Sequence, residues 1–569
     1  MAAFNERAAT ALATIKSNVE DDKYEEFVYI GRGNGNSDTP PVAQKTSCFE
    51  SRRISSKGAI LVLAICVAVD TGYYSVLNQI AEKIIPDSTG RSLKSLYGDL
   101  LLGTAFPQLF YPLAGWIADA RIGRYRVIQI SMWLLLIGHC VLFFPFLFLQ
   151  LIEVPKYVYC IFPLGYLFIN AGLVGFRTNI IQFGMDQMVA ASGTQLSAFI
   201  HWYYWSTYVG TVTASVILSC LFPDYTSIVI EVGVNVLLLG AALLAWYCLN
   251  MWLVREPISI NPFKTVYSVL KFSSLHKTPI HRSALTYWDD TPPSRLDLGK
   301  KKYGGPFSTE EVENVKTFFA ISLILVSLGG FLIVNDTDKD DVAYEMNNPN
   351  VRYCSVHDIL TTHNLVILVA VPLYEFVICP LFRNYIPTSL KKIGIGIVLD
   401  IAAVVCVLAL DLYVHEGPDH THKDHCILSE MNTTNPNSTL SSAVIVLPIT
   451  LDTLSGLIVF VSTFEFIFAQ SPYSMRSMLV GTFYTIQGLF AMVPLVIEII
   501  VAYSYDKATV SCNSVYYLTI LAIGVMGFFA YTMVAVKYRK RLRDEHFDQH
   551  IAVENYYSPQ EIQSHRCCI

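Results

Sequence analysis

The chain has 569 residues, of which 53% are hydrophobic and only 15% are charged, and its mean hydropathy is +0.43. Soluble domains carry about 25% charged residues, so much of this surface is expected to face something other than water. The formal net charge of −6 argues against a basic footprint for nucleic acid. The composition predicts a membrane protein with the lipid bilayer as a partner.

Residues 1–57 precede the first apolar run and are predicted to be a disordered cytoplasmic tail, because they are acidic and then rich in Gly and Pro. We expect no cleavable signal peptide here. The sequence from Tyr24 to Phe27 fits a tyrosine-based sorting pattern, which favours endosomal delivery, but four-residue patterns also arise by chance. The plasma membrane and endosomal or lysosomal membranes therefore both remain open.

Twelve apolar runs are long enough to cross a bilayer. They are 58–82, 95–118, 127–152, 157–182, 195–221, 225–253, 316–335, 364–382, 389–412, 443–470, 478–503 and 513–536. The polar stretch 254–315 divides them six and six. The sequence thus predicts an all-α polytopic protein with two six-helix halves, 58–253 and 316–536, and a C-terminal tail, 537–569.

Lys and Arg residues concentrate after the second, sixth, eighth and twelfth runs, which predicts that both termini and the linker are cytoplasmic. The opposite face carries three candidate glycosylation sequons, at Asn335, Asn432 and Asn437. Three cysteines also fall on that side, Cys354, Cys426 and Cys512. They allow one disulfide, and the sequence does not say which pair forms it.

The linker 254–315 contains two helical signals. Phe263, Val266, Tyr267 and Leu270 recur at helical spacing, which indicates an amphipathic helix suited to the membrane surface. Further on, Ser308-Thr-Glu-Glu311 has the pattern of a capping box, flanked by Phe307 and Val312 as a hydrophobic staple. A helix beginning there would continue into the seventh membrane run.

The loop between the second and third runs contains Gly115, Asp119, Gly123 and Arg124 at regular spacing. This pattern resembles the Gly-x-x-x-Asp-x-x-x-Gly-Arg loop of the major facilitator superfamily. The glycines permit a tight turn, and Asp119 is expected to cap or salt-bridge so that one closed state is held. The resemblance predicts a gating loop and the fold of that superfamily.

Two further stretches are similar to the proton-dependent oligopeptide transporter (POT) family. Val174–Asn179 with Phe183–Gln187 matches its fourth-helix signature, and Tyr203–Gly210 matches its fifth-helix signature Phe-Tyr-Trp-x-Ile-Asn-x-Gly. Stretches near Glu375 and from Phe464 to Pro472 extend the likeness over most of residues 58–540, and the chain looks nearest to the peptide/histidine branch. The family's asparagine in the fifth helix is replaced by Tyr208.

The resemblance implies that Arg177 and Glu465 grip opposite ends of a zwitterion, since a guanidinium pairs with a carboxylate and a carboxylate with an ammonium. It also implies that five neighbouring side chains contribute to the substrate-binding cavity: Tyr73, Tyr74, Asn179, Tyr204 and Trp205. Other interpretations stay open. Arg177 would snorkel or pair with one neighbour, and Glu465 would pair with an internal Lys or Arg.

The first helix departs from the family pattern. The family carries Glu-x-x-Glu-Arg before an aromatic pair, whereas this chain has Cys66, Val69 and Asp70 at those positions. One hypothesis is that Asp70 replaces the lost acids, pairs with Arg177 and carries the coupling proton, a role that Glu465 would share. The competing hypothesis is that proton coupling has been lost.

We therefore expect a secondary active transporter and not an enzyme, with no metal or cofactor and with the proton as coupling ion. Its predicted substrates are di- and tripeptides or amino acids such as histidine. The alternative is a transport-degenerate sensor or scaffold whose tails bind cytosolic sorting or signalling partners. A third interpretation is transport of another anion, such as nitrate, which would bind Arg177 but give Glu465 no role.

Overall fold

The computed structural model describes residues 56–83, 105–151, 162–188, 191–214, 227–255, 261–276, 293–337, 363–382, 385–415, 446–505 and 512–538, with Ile54 and Val444. The secondary structure in these ranges is almost entirely helical. The first half contains α1 (Lys57–Lys83), α2 (Tyr111–Ile117), α3 (Arg124–Leu151), α4 (Phe162–Asp186), α5 (Gly193–Val212) and α6 (Ser227–Cys248). The second contains α7 (Thr309–Ser327), α8 (His363–Leu373), α9 (Ser389–His415), α10 (Val446–Gln470), α11 (Arg476–Tyr505) and α12 (Cys512–Lys537).

Ten helices in the described ranges are long and apolar enough to cross a membrane, and they coincide with ten of the predicted runs. The other two predicted runs are 95–118 and 195–221. Residues 95–104 of the first lie outside the described ranges, and the second corresponds to α5. The all-helical, multi-pass architecture is confirmed, whereas the count of twelve spans stays a prediction.

Three helices are locally irregular. A short helix, Ala105–Gln108, precedes α2, and α2 continues into a π-helical turn, Ala118–Ile122. In α8, Pro372 removes one backbone donor, and a π-helical turn, Tyr374–Ile378, follows it. α7 is interrupted at Leu328 and resumes as Gly329–Asn335. Single π turns inside α-helices often mark functional positions.

The two halves meet where α2, the short helix before it and α4 pack on α11, and where α5 packs on α8 and α10. Glycines make the first contact close. A Cβ at Gly115 would lie 2.5 Å from the Ser477 carbonyl oxygen, and one at Gly481 would lie 2.6 Å from the Tyr111 carbonyl oxygen. Real Cβ atoms do not approach this closely, so both positions require glycine while the helices are in contact.

The linker forms the predicted helix, Pro262–Leu275, capped by Asn261 and with Phe263 and Tyr267 exposed. The predicted capping box is also present, because the Ser308 side chain accepts from the Glu311 backbone N–H and Glu311 accepts from the Ser308 N–H. α7 begins directly after it. We refer to the membrane side that holds this linker as the linker side.

Several predicted features lie outside the described ranges. They are the N-terminal tail with Tyr24, the sequons at Asn432 and Asn437, the cysteines Cys354 and Cys426, and the C-terminal tail from 539 onward. The third sequon lies at the end of α7, where the Asn335 amide donates a hydrogen bond to Asp452 at 3.3 Å. Glycosylation, the disulfide and the cytoplasmic assignment stay predictions.

Candidate functional site

Arg177 and Asp70 form an ion pair between α4 and α1. The Arg177 Nη2 atom lies 2.7 Å from Asp70 Oδ1, and their side chains are 18% and 5% exposed. The pairing proposed from the altered first-helix motif is therefore present. The guanidinium keeps donors beyond the one that Asp70 accepts, and its partial exposure leaves room for a second anionic group.

Aromatic side chains from both halves surround this pair. The guanidinium lies over the rings of Tyr73, at 5.1 Å, and Tyr74, at 5.7 Å. Tyr111 on α2 packs against Tyr484 on α11 with ring centroids 4.9 Å apart. Tyr484 in turn contacts Phe464 on α10. The cation thus lies where helices of the two halves converge, which is where this architecture places a substrate.

The fifth-helix motif ends in a glycine with a direct structural role. A Cβ at Gly210 would lie 2.8 Å from the Val67 carbonyl oxygen and 2.9 Å from the Asp70 Cβ atom. Only glycine therefore lets α5 pack against α1 at the level of the ion pair. The motif positions the helix that carries Tyr204 and Tyr208, whose hydroxyls are 3.2 Å apart.

Two other predicted cavity residues are held by the protein itself. Asn179 is fully buried, and its amide donates to the Gly175 carbonyl oxygen one turn earlier in α4. The Trp205 indole N–H donates to the Leu368 carbonyl oxygen on α8 at 3.1 Å. In this conformation Trp205 forms a hydrogen bond between the two halves, and Asn179 forms one within its own helix. Their assignment to substrate binding stays a prediction.

Glu465 lies in a second charged cluster on the linker side. Its Oε2 atom is 3.0 Å from Lys392 Nζ on α9, and its Oε1 atom accepts a hydrogen bond from the Ser197 hydroxyl on α5. The alternative interpretation, an internal cation as partner, describes this conformation. For Glu465 to bind a substrate ammonium, the Lys392 pair must open.

The predicted gating loop forms a buried network that joins the halves. Arg124 donates to Asp119 at 3.0 Å, to Asp186 at 2.9 Å and to Ser477 at 3.1 Å. The Ser477 hydroxyl donates to Asp119 at 2.9 Å, and Tyr473 accepts from Arg124 at 3.3 Å. Gly123 has φ 84°, a conformation that L side chains rarely adopt. Because Ser477 and Tyr473 belong to the second half, this network closes the linker side.

Sequence reasoning assigned no role to His201 or Glu375, yet these residues form another contact between the halves. His201 Nδ1 on α5 lies 3.2 Å from Glu375 Oε1 in the π-helical turn of α8. The imidazole ring stacks on Tyr374 with centroids 4.9 Å apart. Both side chains lie inside apolar runs, and that placement was the only signal in the sequence that could have singled them out.

An apolar groove of about 330 Å³ opens between α2, α3 and α4, next to Val174 and Gly175. Its walls are almost entirely carbon, and Leu113 and Leu167 in its lining are exposed on the outer surface of the helices. An apolar, outward-facing groove offers nothing that would bind a zwitterion. The charged site around Arg177 is the stronger candidate for substrate.

The comparisons with known proteins agree with this geometry. The model of the POT family matches residues 125–513. Solute carrier family 15 member 3 from Mus musculus is 21% identical over 68% of this chain and 74% of its own. Protein NRT1/PTR FAMILY 6.4 from Arabidopsis thaliana is 22% identical, and the alignment covers 75% of this chain and 79% of that protein.

Among solved structures, an auto-inhibited POT family peptide transporter superposes with a TM-score of 0.63 at 17% identity, covering 86% of this chain and 98% of that one. That likeness shows a shared fold. The family match spans more than half of the sequence and includes the fourth- and fifth-helix signatures. The chain is a multi-pass integral membrane protein with the major facilitator fold, and it belongs to the POT family.

Proposed function

We propose that this protein is a secondary active transporter that moves short peptides, or amino acids such as histidine, together with protons by alternating access. The observation that carries the proposal is the Arg177–Asp70 pair, buried where the two halves converge. A cation at this depth is costly, and such residues usually mark a substrate or ion path. Its relatives include a protein described as a peptide transporter.

Arg177 is suited to the carboxylate end of the substrate. Asp70 and the Tyr111 side chain occupy part of the guanidinium's five N–H donors, and a substrate carboxylate can bind the others. A proton on Asp70 would weaken its hold on Arg177 and release the guanidinium for substrate. Protonation of Asp70 would therefore favour substrate binding at Arg177.

The ammonium end has two candidate partners. Glu465 can accept it after the Lys392 pair opens. While Lys392 still pairs with Glu465, the aromatic rings of Tyr204 and Phe460 offer a cation–π site between α5 and α10. These rings stack with centroids 6.3 Å apart. Since these rings belong to opposite halves, an ammonium that contacts both of them would favour closure around the substrate.

Uptake into proteoliposomes tests the proposal. Labelled dipeptide and histidine are supplied with and without an inward proton gradient to wild type, Arg177→Gln, and Arg126→Gln as an exposed-arginine control. A charged hydrogen bond contributes about 1.5–3 kcal/mol, so Arg177→Gln should weaken apparent affinity about 10- to 150-fold. The double variant Arg177→Gln/Asp70→Asn removes the unpaired buried acid if the single variant folds poorly.

The first-helix departure supports a second candidate, a sensor that binds the same substrates without moving them. Cys66 and Val69, where the family has glutamates, cannot carry protons as carboxylates do. A dipeptide that raises the melting temperature of the purified protein yet is not taken up would favour the sensor. Robust uptake by wild type would exclude it, and neither binding nor uptake would overturn both candidates.

A further inference from the structure

His201, Glu375, Lys392 and Glu465 form a buried cluster, here termed the His201 cluster, at the linker side. Each residue comes from a different helix: α5, α8, α9 and α10. The four side chains are 9%, 3%, 16% and 3% exposed. His201 Nδ1 contacts Glu375 at 3.2 Å and the Ser197 carbonyl oxygen at 2.8 Å, while Lys392 and the Ser197 hydroxyl hold Glu465.

The charges of this cluster do not balance unless the imidazole is protonated. Glu375 and Glu465 are two carboxylates facing one ammonium, on Lys392. With neutral His201 the four side chains carry one net negative charge in a site that water barely reaches, which is unfavourable. A proton on His201 cancels that charge and converts the contact with Glu375 into an ion pair. Tyr374, stacked on the ring, adds no opposing charge.

The cluster also lies across the boundary between the two halves. His201 and Ser197 belong to the first half, and Glu375, Lys392 and Glu465 to the second. Separating the halves on this side pulls the imidazole away from both carboxylates and exposes it to water. An exposed imidazole has a pKa of about 6.5, so it releases its proton at the pH of the cytosol. Burying the imidazole disfavours its charged form and the two carboxylates favour it, so closure favours proton binding where the carboxylates outweigh the cost of burial.

We propose that His201 and Glu375 form the proton-binding site that couples transport in this protein, loaded while the linker side is closed and emptied when that side opens. This inference rests on the proposed transport function and deepens it. It moves the coupling proton away from the first helix, where the family acids are absent, to an inter-half contact. Asp70 then serves substrate binding through Arg177 rather than coupling.

The test compares gradient-driven accumulation with substrate exchange in proteoliposomes. An outside pH of about 6 and an inside pH of about 7.5 bracket the titration of an exposed imidazole, and one proton per substrate would drive about 30-fold accumulation. We expect His201→Gln and Glu375→Gln to retain exchange of labelled for unlabelled dipeptide but to lose accumulation above the equilibrium ratio. Accumulation equal to wild type in either variant would overturn the inference.

His139→Gln is the matched control, because His139 is another buried histidine of the first half. Among the residues that the structure describes, its ring nitrogens contact the carbonyl oxygens of Leu135, at 2.8 Å, and Gly72, at 3.1 Å, and no charged side chain. We expect this variant to accumulate dipeptide as wild type does, and a matching loss of accumulation would refute the assignment to His201. Failure of the proposed function itself looks different, since wild type would then show no exchange.

A measurement that leaves the four residues of the His201 cluster unchanged covers the case in which the variants do not fold. Paramagnetic probes at the exposed positions Arg126 and Lys391 report the separation of the halves on the linker side. Lowering the pH from about 8 to about 6 should enrich the short-distance population, because the protonated cluster holds the closed state. A distance distribution that does not change over this range would also contradict the inference.

Discussion

Two buried acids join the halves on the linker side, and they differ in the kind of cation that they face. Asp119 lies in the π-helical turn that ends α2, and Glu375 lies in the π-helical turn of α8, the second helix of the other half. Asp119 pairs with Arg124, whereas Glu375 faces His201. A guanidinium stays charged at every relevant pH, but an imidazole does not. The first contact therefore does not depend on pH, and we refer to it as the permanent contact, whereas the second contact depends on pH.

The largest expected effect comes from removing the permanent contact by steric means. In Gly115→Val, the added Cβ would lie 2.5 Å from the Ser477 carbonyl oxygen, so α2 and α11 cannot reach the closed arrangement. We expect a loss of the closed population of more than about 100-fold, equivalent to about 3 kcal/mol. Inter-probe distances on the linker side measure it.

The control for that experiment is Gly240→Val, because a Cβ at Gly240 meets nothing within 4 Å. It should leave both the distance distribution and uptake unchanged. A Gly115→Val protein that still closes as wild type does would show that the contact between α2 and α11 does not determine the closed state.

A smaller effect is expected from Arg124→Lys. The guanidinium reaches Asp119, Asp186, Ser477 and Tyr473 at once, and a single ammonium cannot reproduce that geometry. Losing one or two charged hydrogen bonds should lower the closed-to-open ratio about tenfold, or about 1.4 kcal/mol. The pH dependence of opening should not change, since no titrating group is removed. A shifted pH midpoint would mean that the Arg124 contact also contributes to the pH dependence, which would contradict the difference proposed between the two contacts.

The permanent contact was accessible from the sequence, and the pH-dependent one was not. Asp119 and Arg124 lie five residues apart within one motif, from which a cap or salt bridge of Asp119 was expected, and Arg124 is its partner in the structure. The capping box at Ser308 and Glu311 was likewise local and is present. The Asp70–Arg177 pair followed from a charge reversal at a family position. In each case a short pattern or a resemblance singled out at least one residue of the contact.

The contact between His201 and Glu375 depends on how the two halves pack, and nothing in the spacing along the chain brings those residues together. The π-helical turn that carries Glu375 follows Pro372, yet a proline alone does not predict whether a helix kinks, ends or widens. For Glu465, the resemblance named a substrate partner but could not show that Lys392 occupies it in the closed state.

Changing the charge of the His201 cluster should shift its pH response in opposite directions. Lys392→Gln leaves two carboxylates without their ammonium, so the imidazolium is stabilised and closure should persist to higher pH. Glu465→Gln removes one carboxylate, and closure should require lower pH. Both Lys392 and Glu465 interact electrostatically with the His201 imidazole, and removing one such charge in a partly buried site should shift the midpoint by about one pH unit.

The pH dependence of the distance distribution in these two variants measures both shifts. Opposite shifts would confirm that the cluster responds to its total charge. Shifts in the same direction would mean that the substitutions act through packing, and the comparison between the permanent and the pH-dependent contact would then need another explanation.

The smallest effect is expected at a third charged cluster, which binds the linker to α7 without joining the halves. Asp297 lies 2.6 Å from Lys300 and 2.5 Å from Lys316. Partial burial raises the pKa of Asp297, but hydrogen bonds from Lys300, Lys316 and Ser294 outweigh this and hold it well below its usual value. Burial lowers the pKa of Lys300, and Asp297 and Glu313 more than restore it, so the pKa is raised.

These two shifts give the sign of the pH dependence. The stability from Asp297 is present above the unfolded pKa of about 3.9 and is lost as the pH falls through the lower folded pKa. The stability from Lys300 is complete below about 10.4 and is lost only as the pH rises through its folded pKa. Both contributions are therefore intact near neutral pH. Asp297→Asn should cost about 1 kcal/mol there, because partly exposed ion pairs contribute little.

The melting temperature of the purified protein, measured near pH 7 and again in acid, tests this prediction. The deficit of Asp297→Asn should be present at pH 7 and shrink toward zero in acid, where the wild-type carboxyl is also neutral. Dipeptide uptake and its pH midpoint should match wild type, because the contact between the linker and α7 does not cross the boundary between the two halves. A change in the pH midpoint of uptake would show instead that the linker charges influence protonation of the His201 cluster. The contact between His201 and Glu375 would then not be the sole source of the pH dependence.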